Sequence, residues 1–159
     1  MITRIKHLLD RTVDWSCIIA VAAIVVIAFF QVISRYIMAQ IPSWTEEACR
    51  YISIWLIFLA SAVAFRRGAH LGVDFLVNLF PPPLRKAANL IANLVLIFIL
   101  SLTVLYSWKM MLFNVSQLSP AIRMSMAIPY AAIPVGTFLM LIEVLWSLPN
   151  IFIIERGDN

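Results

Sequence analysis

The sequence predicts an all-α integral membrane protein: four transmembrane helices, N- and C-termini cytoplasmic, with short interfacial amphipathic helices. Two totals and one pattern predict it. Of 159 residues, 63% are hydrophobic and 13% charged, where a soluble domain carries about 25% charged residues. Mean hydropathy is +0.96. Four apolar stretches are each long enough to cross a bilayer core, which takes roughly 20 helical residues. The alternating segments of roughly ten residues that a membrane barrel needs do not occur. The length suits one compact helical bundle, a single four-helix membrane domain over 1–159, with no room for a soluble domain beside it.

The chain opens with Ile2, Ile5, Leu9 and Val13 at helical spacing and Arg4, Lys6 and Arg11 elsewhere. That is the pattern of a cationic helix lying in the membrane surface. The first span, about 14–37, has no charge between Asp14 and Arg35. Its apolar run is too long for a signal peptide and reads as a retained membrane helix. The second span, about 45–66, follows Pro42 and Ser43, and Ser43 or Thr45 can cap it. Ala60 and Ala64, with Gly68 beyond, form a small-residue ridge that permits close helix approach.

After Gly72, VDFLVNLF is too short to span, and Pro81-Pro82-Pro83 cannot continue a helix, so it reads as a second surface segment. The third span, about 86–112, carries Asn89 and Asn93 one turn apart. Amides in a membrane helix usually bond across to a neighbour. The fourth, about 127–149, contains Pro129 and Pro134, which can bend it. It also holds Glu143, the one acid deep within a span.

Loop charges set the orientation. Arg4, Lys6, Arg11, Arg66, Arg67, Arg85, Lys86 and Arg156 all fall on one side. The other side has Arg123 in a loop, with Arg35, Arg50 and Lys109 at helix ends. This bias places both termini and the central loop in the cytoplasm. The net charge of +4 belongs to these loops. No basic run tracks phosphates, so nucleic acid is excluded as a partner and the lipid bilayer is the expected one.

Cys17 and Cys49 form no CxxC pair, and they open two helices crossing in opposite directions, too far apart to bridge. His70 and Asp74 are too few for a metal site, and no other His or Cys is placed to join them. They read as local capping in a loop. No P-loop, Ser/His/Asp order, glycine-rich dinucleotide turn or HExxH occurs. No catalytic, cofactor or metal site is expected, and the chain is not expected to be an enzyme.

The densest chemistry is in WTEEACRYISIW, 44–55. Glu46 and Glu47 suit the positive start of a helix. Arg50 is four residues after one and three after the other, within pairing reach of both. Arg35 returns to the same level across a short hairpin. The arrangement reads first as an ion-pair network pinning two helices; contact with a partner protein and a transport or catalytic site are the alternatives. Pathway charges belong near the bilayer middle, and these lie at its edge. Glu143 similarly reads as paired, near Arg66, Arg67 or Arg85, with a coupling acid as the alternative.

Taken together these pieces resemble the small membrane subunit, DctQ type, of tripartite ATP-independent periplasmic (TRAP) transporters. The resemblance lies in Arg35-Tyr36, in Trp44-Thr45-Glu46-Glu47 with Arg50 and Trp55, and in the loop Arg66-Arg67-Gly68-Ala69-His70-Leu71-Gly72-Val73-Asp74. It continues in Ile128-Pro129-Tyr130 and Ile133-Pro134-Val135-Gly136. It implies a scaffold in a bacterial inner membrane, bound to a large multi-span subunit. That subunit would take up an organic acid (dicarboxylate, keto acid or sialic acid) with sodium, delivered by a periplasmic binding protein. Sodium coupling is expected in the large subunit and no cofactor here. Arg35, Trp44, Glu46, Glu47, Arg50, Trp55, Arg66, Arg67, His70, Asp74, Pro129 and Pro134 become the expected structural and partner-interface residues. Trp55 and the small ridge are expected to face the large subunit. The alternative is an autonomous homodimeric proton-coupled exporter using Glu143.

Overall fold

The structure is a computed structural model and describes residues 2–37, 42–67 and 82–154. Four helices make up most of it: α1 Ile2–Ile37, α2 Ser43–Arg66, α3 Pro82–Phe113 and α4 Ala127–Ile154. Each contains a stretch long and apolar enough to cross a membrane: Lys6–Ile37, Ser43–Arg66, Ala87–Phe113 and Ala127–Trp146.

α1 has 36 residues and so runs roughly 54 Å at 1.5 Å per residue, well beyond a hydrocarbon core of roughly 30 Å. The segment expected to lie separately on the surface is the first third of this one helix. No glycine or proline interrupts it, so nothing releases the backbone from the helical path. The second expected surface segment lies outside the described residues. Pro82 and Pro83 begin α3, where a first helical turn needs no N–H from them.

α2 starts after an extended Pro42 with no side-chain cap. Thr45 was an expected cap, but its hydroxyl donates to the Pro42 carbonyl at 2.7 Å. α4 continues through Pro129 and Pro134, both buried.

The helices form a row, α1–α2–α4–α3. Close packing joins α1 to α2, α2 to α4, and α4 to α3. A single layer leaves long apolar faces uncovered on α1 and α3, including Phe29, Val26, Phe98 and Ile91. In water that would be costly; lipid tails are as apolar as these side chains and exert no such pressure. The small core sits around α4, where Met140 and Val144 meet Ala62 of α2 and Leu100 of α3.

Hydroxyls inside the spans are mostly satisfied within their own helix, as a lipid environment demands. Ser61, Ser101, Thr103, Ser107 and Thr137 each donate to the carbonyl four residues earlier. Asn93 does the same, onto the Asn89 carbonyl at 2.9 Å, so its amide folds back on α3 and not across to another helix.

α2 and α4 approach each other closely at Gly136. A Cβ there would lie 2.5 Å from the Cβ of Phe58 and 3.0 Å from its carbonyl. The expected Ala60–Ala64 ridge is exposed, so α2 meets α4 through Phe58 and Ala62. Replacing Gly136 by leucine forces α2 and α4 apart and costs about 1–3 kcal/mol, as overpacking does. Thermal unfolding in detergent should therefore fall for G136L and hold for V135L on the exposed side.

Candidate functional site

The first turns of α2 place Thr45, Glu47 and Tyr51 on the buried side and Trp44, Glu46 and Arg50 on the exposed side. Glu47 lies one turn before Tyr51, whose hydroxyl donates to its Oε1. Its Oε2 accepts the backbone N–H groups of Ala121, at 2.9 Å, and Ile122, at 2.8 Å. A carboxylate buried to 6% exposure is thus held by three charge-assisted hydrogen bonds. Ser119 is also buried.

These amides belong to a hairpin between α3 and α4. Ser119 N–H donates to the Met124 carbonyl and Met126 N–H to that of Gln117, around a single bridge between Leu118 and Ser125. Arg123 turns the tip with φ of 60°, a left-handed conformation few side chains adopt. Glu47 therefore fastens the hairpin to α2, where Arg35 and Arg50 were the expected partners. Among the described residues neither arginine makes an ion pair, and both are exposed. The tie between the α1 end and the α2 start is aromatic, Phe30 against Trp44 with ring centroids 5.9 Å apart.

Between α2, the hairpin and α4 lies an open groove of about 850 Å³. Ser43, Glu46 and Arg50, all exposed, line it together with Ile54, Pro129 and Ile133.

The opposite end of the molecule holds the ion pairs. Arg66 Nη1 lies 3.2 Å from Asp10, and Nη2 pairs with Asp14 at 2.5 Å, joining the end of α2 to α1. Lys6 reaches past α2 to Glu143 on α4 at 3.0 Å and lies over the Trp146 ring. Glu143 is paired, as read, but by Lys6 instead of Arg66, Arg67 or Arg85. Arg67 is exposed, and Trp55 is half-buried on another side of α2 from Ala60 and Ala64. His70 and Asp74 lie outside the described residues. Among the described residues no group of three or more His, Cys, Asp or Glu could hold a metal.

Sequence reasoning missed the hairpin's share of the site, the role of Tyr51, and Lys6, Asp10 and Asp14 as partners. The last three stand four residues apart along one stretch of α1, a spacing that already put them on one face.

Comparison with known proteins adds the family context. A sequence model described as "Tripartite ATP-independent periplasmic transporters, DctQ component" matches residues 24–151. A Haemophilus influenzae protein, provisionally named a TRAP transporter small permease protein, is 28% identical over 159 residues, covering 99% of each chain. The isethionate TRAP transporter permease protein DctMQ of Oleidesulfovibrio alaskensis is 33% identical over 136 residues. That match covers 79% of this chain and only 21% of the longer relative. The C4-dicarboxylate TRAP transporter small permease protein DctQ of Vibrio cholerae is 22% identical over 173 residues, covering 92% of this chain and 75% of its own.

Hydrogen bonds to a charged group contribute about 1.5–3 kcal/mol, so Glu47→Ala should speed amide exchange at Ala121 and Ile122 by roughly 10- to 100-fold. Glu46→Ala should leave both amides unchanged. At the other end, a double-mutant cycle on Lys6 and Glu143 should show coupling of about 0.5–1 kcal/mol in unfolding measurements. A coupling of zero would remove the tie between α1 and α4.

Proposed function

The chain belongs to the DctQ family of tripartite ATP-independent periplasmic transporters, as a small permease subunit, and we propose that it is the fixed scaffold of a larger uptake complex in a bacterial inner membrane. One observation carries this reading: the more buried charges are already committed to holding helices together. Glu47 secures the hairpin, Arg66 secures α1 to α2, and Lys6 occupies Glu143. A transport pathway needs polar groups near the bilayer middle that can exchange partners. These groups stand near helix ends with their partners in place. The Lys6–Glu143 pair favours an anchor over a coupling acid.

In this reading a large multi-span membrane subunit moves the substrate, with sodium bound there, and a periplasmic binding protein delivers an organic acid. The chain itself catalyses no reaction and carries no cofactor. The DctMQ relative supports a large partner, since the part that resembles this chain is about a fifth of a longer permease protein. Isethionate in one relative's name and C4-dicarboxylate in another's support a substrate chosen outside this subunit. The charge bias of the loops supports a cytoplasmic Arg66 end, with Arg66, Arg67, His70 and Asp74 holding the topology. The hairpin would then face the periplasm.

The exposed line Ile57, Ala60 and Ala64 on α2 is the proposed seat for a helix of the large subunit, because small residues let backbones approach. Trp55, half-buried on another side of α2, is a second proposed contact with the large subunit. Co-expression with the large subunit should yield a stable complex from detergent. A60L/A64L should lower its recovery several-fold without changing the thermal stability of the isolated chain. A chain that purifies as an active homodimer and transports by itself in liposomes would overturn the scaffold reading.

A further inference from the structure

The groove between α2, α4 and the hairpin encloses about 850 Å³. One turn past its lining residue Ile54 and three residues past Ile133, Phe58 and Gly136 meet with no room for a Cβ. The groove is blocked beyond that contact. It can hold the headgroup and glycerol end of an amphipathic molecule whose chains leave along the apolar face.

Three charged side chains line the groove, Glu46, Glu47 and Arg50. Glu46 and Arg50 are one helical turn apart, with Cβ atoms roughly 5–6 Å from each other. Both are exposed, and among the described residues neither makes an ion pair. The buried carboxylate beside them, Glu47, is fully used by the hairpin and Tyr51. Trp44 and Tyr130 also line the groove, rings that suit the level where membrane meets water.

We propose that this groove binds a phospholipid with an ethanolamine headgroup. The phosphodiester lies against the Arg50 guanidinium and the ammonium donates to the Glu46 carboxylate. A two-carbon linker between phosphate and amine matches the one-turn separation of their partners. An anionic lipid without an amine satisfies Arg50 and leaves Glu46 opposed. A choline lipid brings a cation with no N–H to donate. The inference goes beyond the scaffold reading and does not depend on the large subunit.

Native mass spectrometry of the full chain, delipidated in detergent and titrated separately with dioleoyl phosphatidylethanolamine, phosphatidylglycerol and phosphatidylcholine, tests it. The ethanolamine lipid should be retained about fivefold over either other lipid, the scale of an interfacial ion pair. Arg50→Gln should lower retention of the ethanolamine and glycerol lipids alike. Glu46→Gln should abolish the preference for ethanolamine. Both substitutions replace exposed side chains, and thermal unfolding without lipid should match the parent chain. The ethanolamine lipid should raise the unfolding temperature of the parent more than of either variant.

Unchanged retention in both variants would overturn the proposal. Equal retention of the choline lipid would assign the amine to the Trp44 and Tyr130 rings and overturn the role of Glu46. Failure to form a complex with the large subunit, with lipid selectivity intact, would count against the scaffold reading alone.

Discussion

The approach of α2 to α4 at Phe58 and Gly136 is the constraint on which the rest of the arrangement depends. With no side chain on Gly136, the two backbones come within reach of a Cβ contact. On the hairpin side of that contact lie the groove and the hydrogen bonds from the Ala121 and Ile122 amides to Glu47. A bulkier residue at 136 would move both ends at once. α3 joins through the other side of α4, and α1 through the back of α2, so α4 and α2 form the keel of the row.

Charge is distributed to suit a lipid environment. The core that joins the helices, around Ala62, Leu100, Met140 and Val144, is apolar. The interactions that define which helix meets which are polar and stand near the ends. At one end a carboxylate organises backbone amides; at the other two acids and a lysine from α1 meet an arginine and an acid from α2 and α4. Association in a bilayer cannot rely on hiding apolar surface, because that surface is equally at home in lipid. Specific hydrogen bonds and ion pairs near the boundary, together with close contact at a glycine, do that work here. The same logic explains why a one-layer row is stable with so much of α1 uncovered.

Much of the fold was legible because a spanning helix announces itself through local composition. The four apolar stretches, the arginines that bound them and the motif around WTEEACRYISIW all depend on residues close together in sequence. The site was legible only in part. Glu47 was recognised as part of a charged anchor, but its assignment to Arg35 and Arg50 failed. Those arginines had the right charge and spacing, while the actual partners were neutral backbone amides some seventy residues away. Backbone donors leave no mark in a sequence. Glu143 was recognised as a paired acid, yet its cation came from Lys6, in a segment read as lying on the surface. The uninterrupted run from Ile2 to Ile37 kept that segment in α1 and brought Lys6 within reach.

By itself the sequence determined the class of protein, the four spans and the family, because hydropathy, helix length and a linear motif are properties of neighbouring residues. Tertiary structure alone decided the order of the helices in the row, the partners of Glu47, Glu143 and Arg66, and the existence of the groove. These depend on which faces meet after each helix has formed. In a membrane, where every face of an apolar helix is nearly equivalent, that choice falls to a few polar groups and one glycine whose partners are far away in the chain.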